Sequence, residues 1–160
     1  MDTASYAPAY PSAPAVDPAL RDFVARFFAT SDTPGLTDEW LAFFSDDATV
    51  VMGSETATGI QEIRSLRLRM WDKVEARKHH VAKVFPGSFD DEADTAAELM
   101  LFGSVAYVLK QTPATAAGAG AGAGAGTPQT ATDWAAHARL KRNGVDSPWA
   151  FVYYRVYLQK

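Results

Sequence analysis

Two histidines stand side by side, His79 and His80, in a 160-residue chain with three histidines and no cysteine. Imidazole exchanges a proton near neutral pH, so a pocket histidine is the first candidate for acid–base chemistry. Neighbours in a strand point to opposite faces, so this pair cannot close on one metal ion. By alternation His80 shares a face with Ala82 and Val84, and His79 shares one with Val81, Lys83 and Phe85. No two histidines have the helical spacing of metal ligands, and no metal site is expected. The lack of cysteine excludes disulfides, thiolate metal sites and a cysteine nucleophile. No P-loop, dinucleotide glycine fingerprint, H-E-x-x-H or G-x-S-x-G string occurs, so no cofactor is expected. Asp32 either turns its carboxylate toward a pocket or closes an Asx turn before Pro34-Gly35. Arg67 falls within an apolar helical stripe, where it must be paired or must reach a wet cavity. It could anchor a substrate oxygen or carboxylate, or form a structural ion pair.

The chain is 48% hydrophobic and 21% charged with net charge −4, which suits one globular domain. Residues 1–17 alternate Ala and Pro and read as a disordered tail with no secretory pattern. No run approaches a membrane-spanning length, so a cytoplasmic protein is the default. Pro18–Thr30 reads as a helix with Asp17 as N-cap and Leu20, Phe23, Val24, Phe27 and Phe28 as its apolar stripe. Thr37–Phe44 reads as a second helix with Thr37 as N-cap, Ala48–Met52 as a short strand, and Gly59–Val74 as a third helix. Strands follow at Ala76–Phe85, Glu98–Lys110, Thr132–Arg142 and Trp149–Leu158. Between the second and third of these lies an Ala/Gly stretch, 112–131, read as a flexible loop. Helices followed by long strands predict an α+β domain over 18–160.

This order resembles the SnoaL-like branch of the nuclear transport factor 2-like superfamily. The resemblance is carried by Ser31-Asp32 ending the first helix, Asp38-Glu39-Trp40-Leu41, Phe44-Ser45-Asp46-Asp47-Ala48-Thr49-Val50, Gly59-Ile60, and Pro148-Trp149-Ala150-Phe151. Small fungal SnoaL-like proteins are the most similar in pattern, and the layout is similar to scytalone dehydratase. The resemblance implies a cone-shaped barrel: a strongly curved, mostly antiparallel sheet wrapped around three N-terminal helices, with a pocket at the open mouth. It also implies that His80 is the proton-moving histidine and Asp32 its pocket aspartate. A catalyst of this kind needs the two within hydrogen-bond reach. The dehydratase's second pocket histidine falls at Gly103 and its tyrosines at Ser31 and near Gly53, so scytalone dehydration itself is not expected.

Alternation places Trp134, Ala136, Ala138 and Leu140 inside. The family pattern turns Trp149 and Phe151 inward, and alternation then sends Tyr153 and Arg155 to the cavity. The expected ligand-binding set is Arg67, Trp71, Tyr107, Trp134, Phe151, Tyr153 and Arg155. The leading function is a cofactor-free lyase, isomerase or cyclase-like activity on a polyketide- or terpenoid-like ligand. The alternative is a non-catalytic ligand-binding or dimerisation module of the same fold. Apolar residues on both faces of two strands predict a homodimer through the convex sheet face. Arg64, Arg67, Arg69, Lys73, Arg77, Lys78 and Lys83 form a basic stretch, offset by Asp72 and Glu75 and by the acidic run that follows. Nucleic acid is not expected as a partner.

Overall fold

The computed structural model describes residues 1–89, 91–111 and 131–159. The expected flexible loop, apart from Ala131, lies outside the described residues. Helix α1 (Pro18–Ser31) starts as its sequence requires: Pro18 occupies the first turn and the Asp17 carboxylate accepts from the Ala19 N–H at 2.9 Å. All five stripe residues are buried. Helix α2 (Thr37–Leu41) is shorter than expected, and Leu36, not Thr37, sits at its N-cap. Strand β1 (Phe44–Met52) and a short β2 (Glu55–Thr58) precede α3 (Ile60–Met70). Gly59, at φ 81°, turns the chain from β2 into α3 in a conformation that L side chains rarely adopt. Strands β3 (Val74–Gly87), β4 (Ala96–Leu109), β5 (Thr132–Lys141) and β6 (Ala150–Leu158) complete one six-stranded sheet, in the order β2-β1-β6-β5-β4-β3.

The β1–β6 pair is parallel and the others are antiparallel. The sheet is not closed, since β2 and β3 are its edges. The core lies between the inner face and the helices. Phe27 is ringed there by Phe28, Trp40, Phe43, Phe44, Phe151 and Tyr154. Trp134, Ala136, Ala138 and Leu140 are buried, as alternation along β5 requires.

Two bulges decide which residues face that core. In β3, Val81 pairs with Gly103 and Lys83 with Phe102, leaving Ala82 as an extra residue. An extra residue inverts the alternation beyond it. Val81 and Val84 are therefore both buried, three positions apart. In β6, Leu140 pairs with Phe151 and Arg139 with Tyr153, so Val152 is the extra residue. Phe151 and Tyr154 then both face inward.

The N-terminal segment, expected as a disordered tail, is packed against the domain. The Ala9 N–H donates to the Ala82 carbonyl and the Val84 N–H to the Ala9 carbonyl, each at 3.0 Å. These bonds occupy the edge of β3 at its bulge. Proline removes its own donor but leaves that of Ala9 free for this contact. A 3-10 turn at Ala4–Tyr6 buries Tyr6, and the Lys78 ammonium lies 3.4 Å from the centre of its ring. No helix among the described residues is long and apolar enough to cross a membrane.

Candidate active site

The end of α1 and the middle of β3 bring together Asp32, Arg77 and His79. Asp32 caps the C-terminus of α1, where its N–H donates to the Phe28 carbonyl at 3.1 Å. Its carboxylate is not spent on a local turn. Oδ2 accepts from the His79 backbone N–H at 2.7 Å, and Oδ1 lies 2.5 Å from His79 Nδ1. The Arg77 Nε is 3.4 Å from the same Oδ1. With Asp32 as acceptor, Nδ1 carries the imidazole proton and the Nε2 lone pair is free. Nε2 has no hydrogen-bond partner among the described residues, and the side chain is 16% exposed.

His79 lines a cavity of about 330 Å³ together with Phe28, Met52, Arg77, Tyr107, Trp134 and Tyr154. Its ring lies 5.2 Å from Phe28 and meets Trp134 edge-on at 5.7 Å. Burial lowers the pKa of His79, against the opposing pull of Asp32, and the charges of Arg77 and Arg67 lower it further. The imidazole is therefore neutral at neutral pH, the form that accepts a proton. Burial raises the Tyr154 and Tyr107 hydroxyls, which stay protonated as donors. Tyr6 is raised first by burial and then by the Asp32 charge beside it.

His80 is exposed on the outer side of β3, and the expectation that it serves the pocket is corrected to its neighbour His79. The physical reason is the bulge at Ala82. Val84 faces inward, and strict alternation carries that assignment back to His80. Crossing the bulge moves it to Val81, His79 and Arg77.

Tyr153 and Arg155 are displaced from the pocket by the second bulge. Tyr153 packs with His137 and Arg139 on the outer face, and Arg155 lies over Tyr157. Tyr154, which alternation sends outward, takes the cavity position. Phe151 faces inward but is buried beneath the cavity against Phe23 and Phe27. Tyr107 and Trp134 line the cavity as expected.

Arg67 is fully buried and donates to the carbonyls of Ser31, Thr30 and Thr33 at 2.7, 3.2 and 3.0 Å. It satisfies the open end of α1 through backbone carbonyls, and no carboxylate among the described residues is within ion-pair distance of it. Trp71 does not line the cavity. The guanidiniums of Arg67 and Arg77 lie 5.2 and 4.6 Å from its ring centre. The residues missed were Arg77, His79 and Tyr154. Arg77, His79 and Val81 share one face, and Lys83 and Phe85, which strict alternation adds to it, lie beyond the bulge.

Among the described residues no cluster of three or more potential ligands could hold a metal ion. No family model and no curated protein matches the chain. Solved structures do match. A scytalone dehydratase-like protein from Novosphingobium aromaticivorans DSM 12444 is 12% identical with a TM-score of 0.66, over 89% of this chain and 83% of that one. The LinA-type3 hexachlorocyclohexane dehydrochlorinase from Novosphingobium barchaimii LL02 is 12% identical with a TM-score of 0.65, over 89% and 85%. ActVI-ORFA from Streptomyces coelicolor is 14% identical with a TM-score of 0.61, over 88% and 95%. At such identities the likeness shows the fold. It is the α+β cone that the sequence pattern implied, with its sheet left open.

Proposed function

We propose that the chain is a cofactor-free lyase or isomerase for a small apolar or aromatic ligand of the polyketide or terpenoid kind, with His79 as its base. The observation that supports this reading is the His79–Asp32 pair, with Nε2 open to an apolar cavity. Nε2 would take a proton from an acidified carbon of the ligand. The released electron pair would pass into a neighbouring carbonyl to give an enolate, or expel a leaving group across the new double bond. Asp32 would steady the imidazolium that forms, and the Tyr107 and Tyr154 hydroxyls would donate to the developing oxyanion. Two of the structural neighbours are named for elimination reactions, a dehydratase-like protein and a dehydrochlorinase.

Proton–deuterium exchange of two-ring ketones such as 2-tetralone, followed by NMR, tests the reading. The protein should speed the exchange over buffer, and His79→Gln should slow it by about 10²–10⁴-fold. His80→Gln should leave the rate unchanged. An undiminished rate in His79→Gln would leave a binding module. The pH profile should be level through neutrality and fall on acidification, below the ordinary imidazole pKa of about 6.5, because burial holds His79 lower. Stability should decline over the same range. Below that pH the unfolded chain takes up a proton that the buried ring resists, so acid favours unfolding.

The convex face supports the expected homodimer. Phe85, Met100 and Phe102 are 47%, 37% and 43% exposed, and the two phenylalanines pack edge-on at 5.8 Å. Apolar surface of this kind suits a second copy. Sedimentation of the wild type as a dimer and of Phe85→Glu/Phe102→Glu as a monomer is the expected result. A monomeric wild type would refute it.

A further inference from the structure

We infer that the cavity selects an anionic ligand, an aromatic acid of one or two rings, and that Arg77 receives its carboxylate. This rests on the reading of the cavity as a ligand site and names the class of ligand. Two guanidiniums converge at the end of α1. Arg67 Nη1 reaches the Ser31 carbonyl at 2.7 Å, and Arg77 Nε and Nη2 reach the same oxygen at 3.2 and 2.5 Å. Arg67 is 0% exposed and the Arg77 side chain 7%. Among the described residues, Asp32 is the sole carboxylate acting on either of them. The C-terminus of α1 supplies about half a negative charge more. His79 is held neutral, and the Tyr107 and Tyr154 hydroxyls keep their protons, so none of these offsets the rest. Two positive charges thus meet roughly one and a half negative ones in a buried, mostly apolar place. Guanidinium does not give up its proton in a protein, so the positive excess persists. Burial and the nearby Arg77 pull Arg67 down to about 9, which still leaves it charged at neutral pH.

The excess is presented to the cavity by Arg77. The Arg67 terminal nitrogens are both used on carbonyls, and its Nε is sealed. Arg77 lines the cavity. Its Nε and Nη2 are spent on the Ser31 carbonyl, and its Nη1 has no partner among the described residues. Tyr107 is its register partner on β4, with Tyr154 and Trp134 on the neighbouring walls. The indole Nε1 of Trp134 is buried without a hydrogen-bond partner. An incoming carboxylate would find a guanidinium edge there that matches its geometry. Arg77 and His79 are two residues apart on one face, about 7 Å along the strand. A ligand held at Arg77 would therefore lay its body across Trp134 and Phe28 toward Nε2. A cavity of about 330 Å³ is near the small end of the usual ligand-pocket range of about 300–1,000 Å³, which limits the body to one or two rings.

Calorimetric titration with 2-naphthoate and with its uncharged isostere 2-naphthamide tests this. The wild type should bind the acid at least tenfold more tightly than the amide. Arg77→Gln should erase the preference, while Arg77→Lys should keep part of it and guards against a variant that merely fails to fold. His79→Gln should retain the preference, because the ring it removes is uncharged. Equal or tighter binding of the amide by the wild type, no binding of the acid, or an undiminished preference in folded Arg77→Gln would overturn the inference. Loss of ketone exchange with the preference intact would refute the proton-transfer role alone. A lost preference with exchange intact would refute the anion site alone.

Discussion

Asp32→Asn should lower the exchange rate by about 10²–10⁴-fold and destabilise the fold by about 3 kcal/mol. Asp32 serves as acceptor at both oxygens, from the His79 backbone N–H and from His79 Nδ1. An amide has one oxygen. If it keeps the backbone bond, its NH2 faces Nδ1, the proton moves to Nε2, and the base is lost. If it keeps the ring bond, its NH2 opposes the backbone N–H and β3 must shift. In either arrangement Arg77 loses its carboxylate while its side chain stays 7% exposed, and a buried charge left without its partner is expensive. Exchange kinetics and urea unfolding read the two effects separately. An Asn variant with wild-type exchange would show that the carboxylate does not orient the ring.

Gly103→Ala should destabilise the protein by about 3 kcal/mol, at the upper end of the range for overpacking. A methyl there would stand 2.1 Å from the His80 carbonyl oxygen and 2.9 Å from the Trp134 ring. The first neighbour is backbone held in the β3–β4 ladder, so it cannot rotate away. Relief requires β3 to move beside the bulge, and His79 moves with it. The exchange rate should therefore fall along with stability. Gly87→Ala is the control, since its methyl would meet only the Phe89 ring at 3.5 Å. It should be neutral or slightly stabilising. A Gly103→Ala protein as stable as Gly87→Ala would refute the close approach of the two strands.

The same bulge explains what was legible in the sequence and what was not. Periodicity located α1 and its stripe, because each of those side chains lies on the face that the 3.6-residue repeat assigns. Period two located the inner face of β5 in the same way, since no extra residue interrupts that strand. The resemblance implied Asp32 together with His80, and the structure sets Asp32 against His79 instead. Period two holds only while pairing is regular, and Ala82 and Val152 each insert one residue. Each insertion exchanges a pocket residue for its neighbour, His79 for His80 and Tyr154 for Tyr153. No residue type at either position announces the break. The Ala82 carbonyl instead accepts from the N–H of Ala9, far away in the chain.

The chain by itself determined the class of fold, the order of its main elements and two members of the cavity lining, Tyr107 and Trp134. These follow from local periodicity and residue type, which act over one or two turns or strands. Tertiary structure decided which imidazole faces Asp32, that Arg67 closes the end of α1, and that the proline-rich N-terminus packs on the edge of β3. It also placed Arg77 at the cavity with less negative charge around it than two guanidiniums require. Those outcomes depend on where an extra residue enters a ladder and on charges that meet from separate elements, and neither is encoded in any one stretch of sequence.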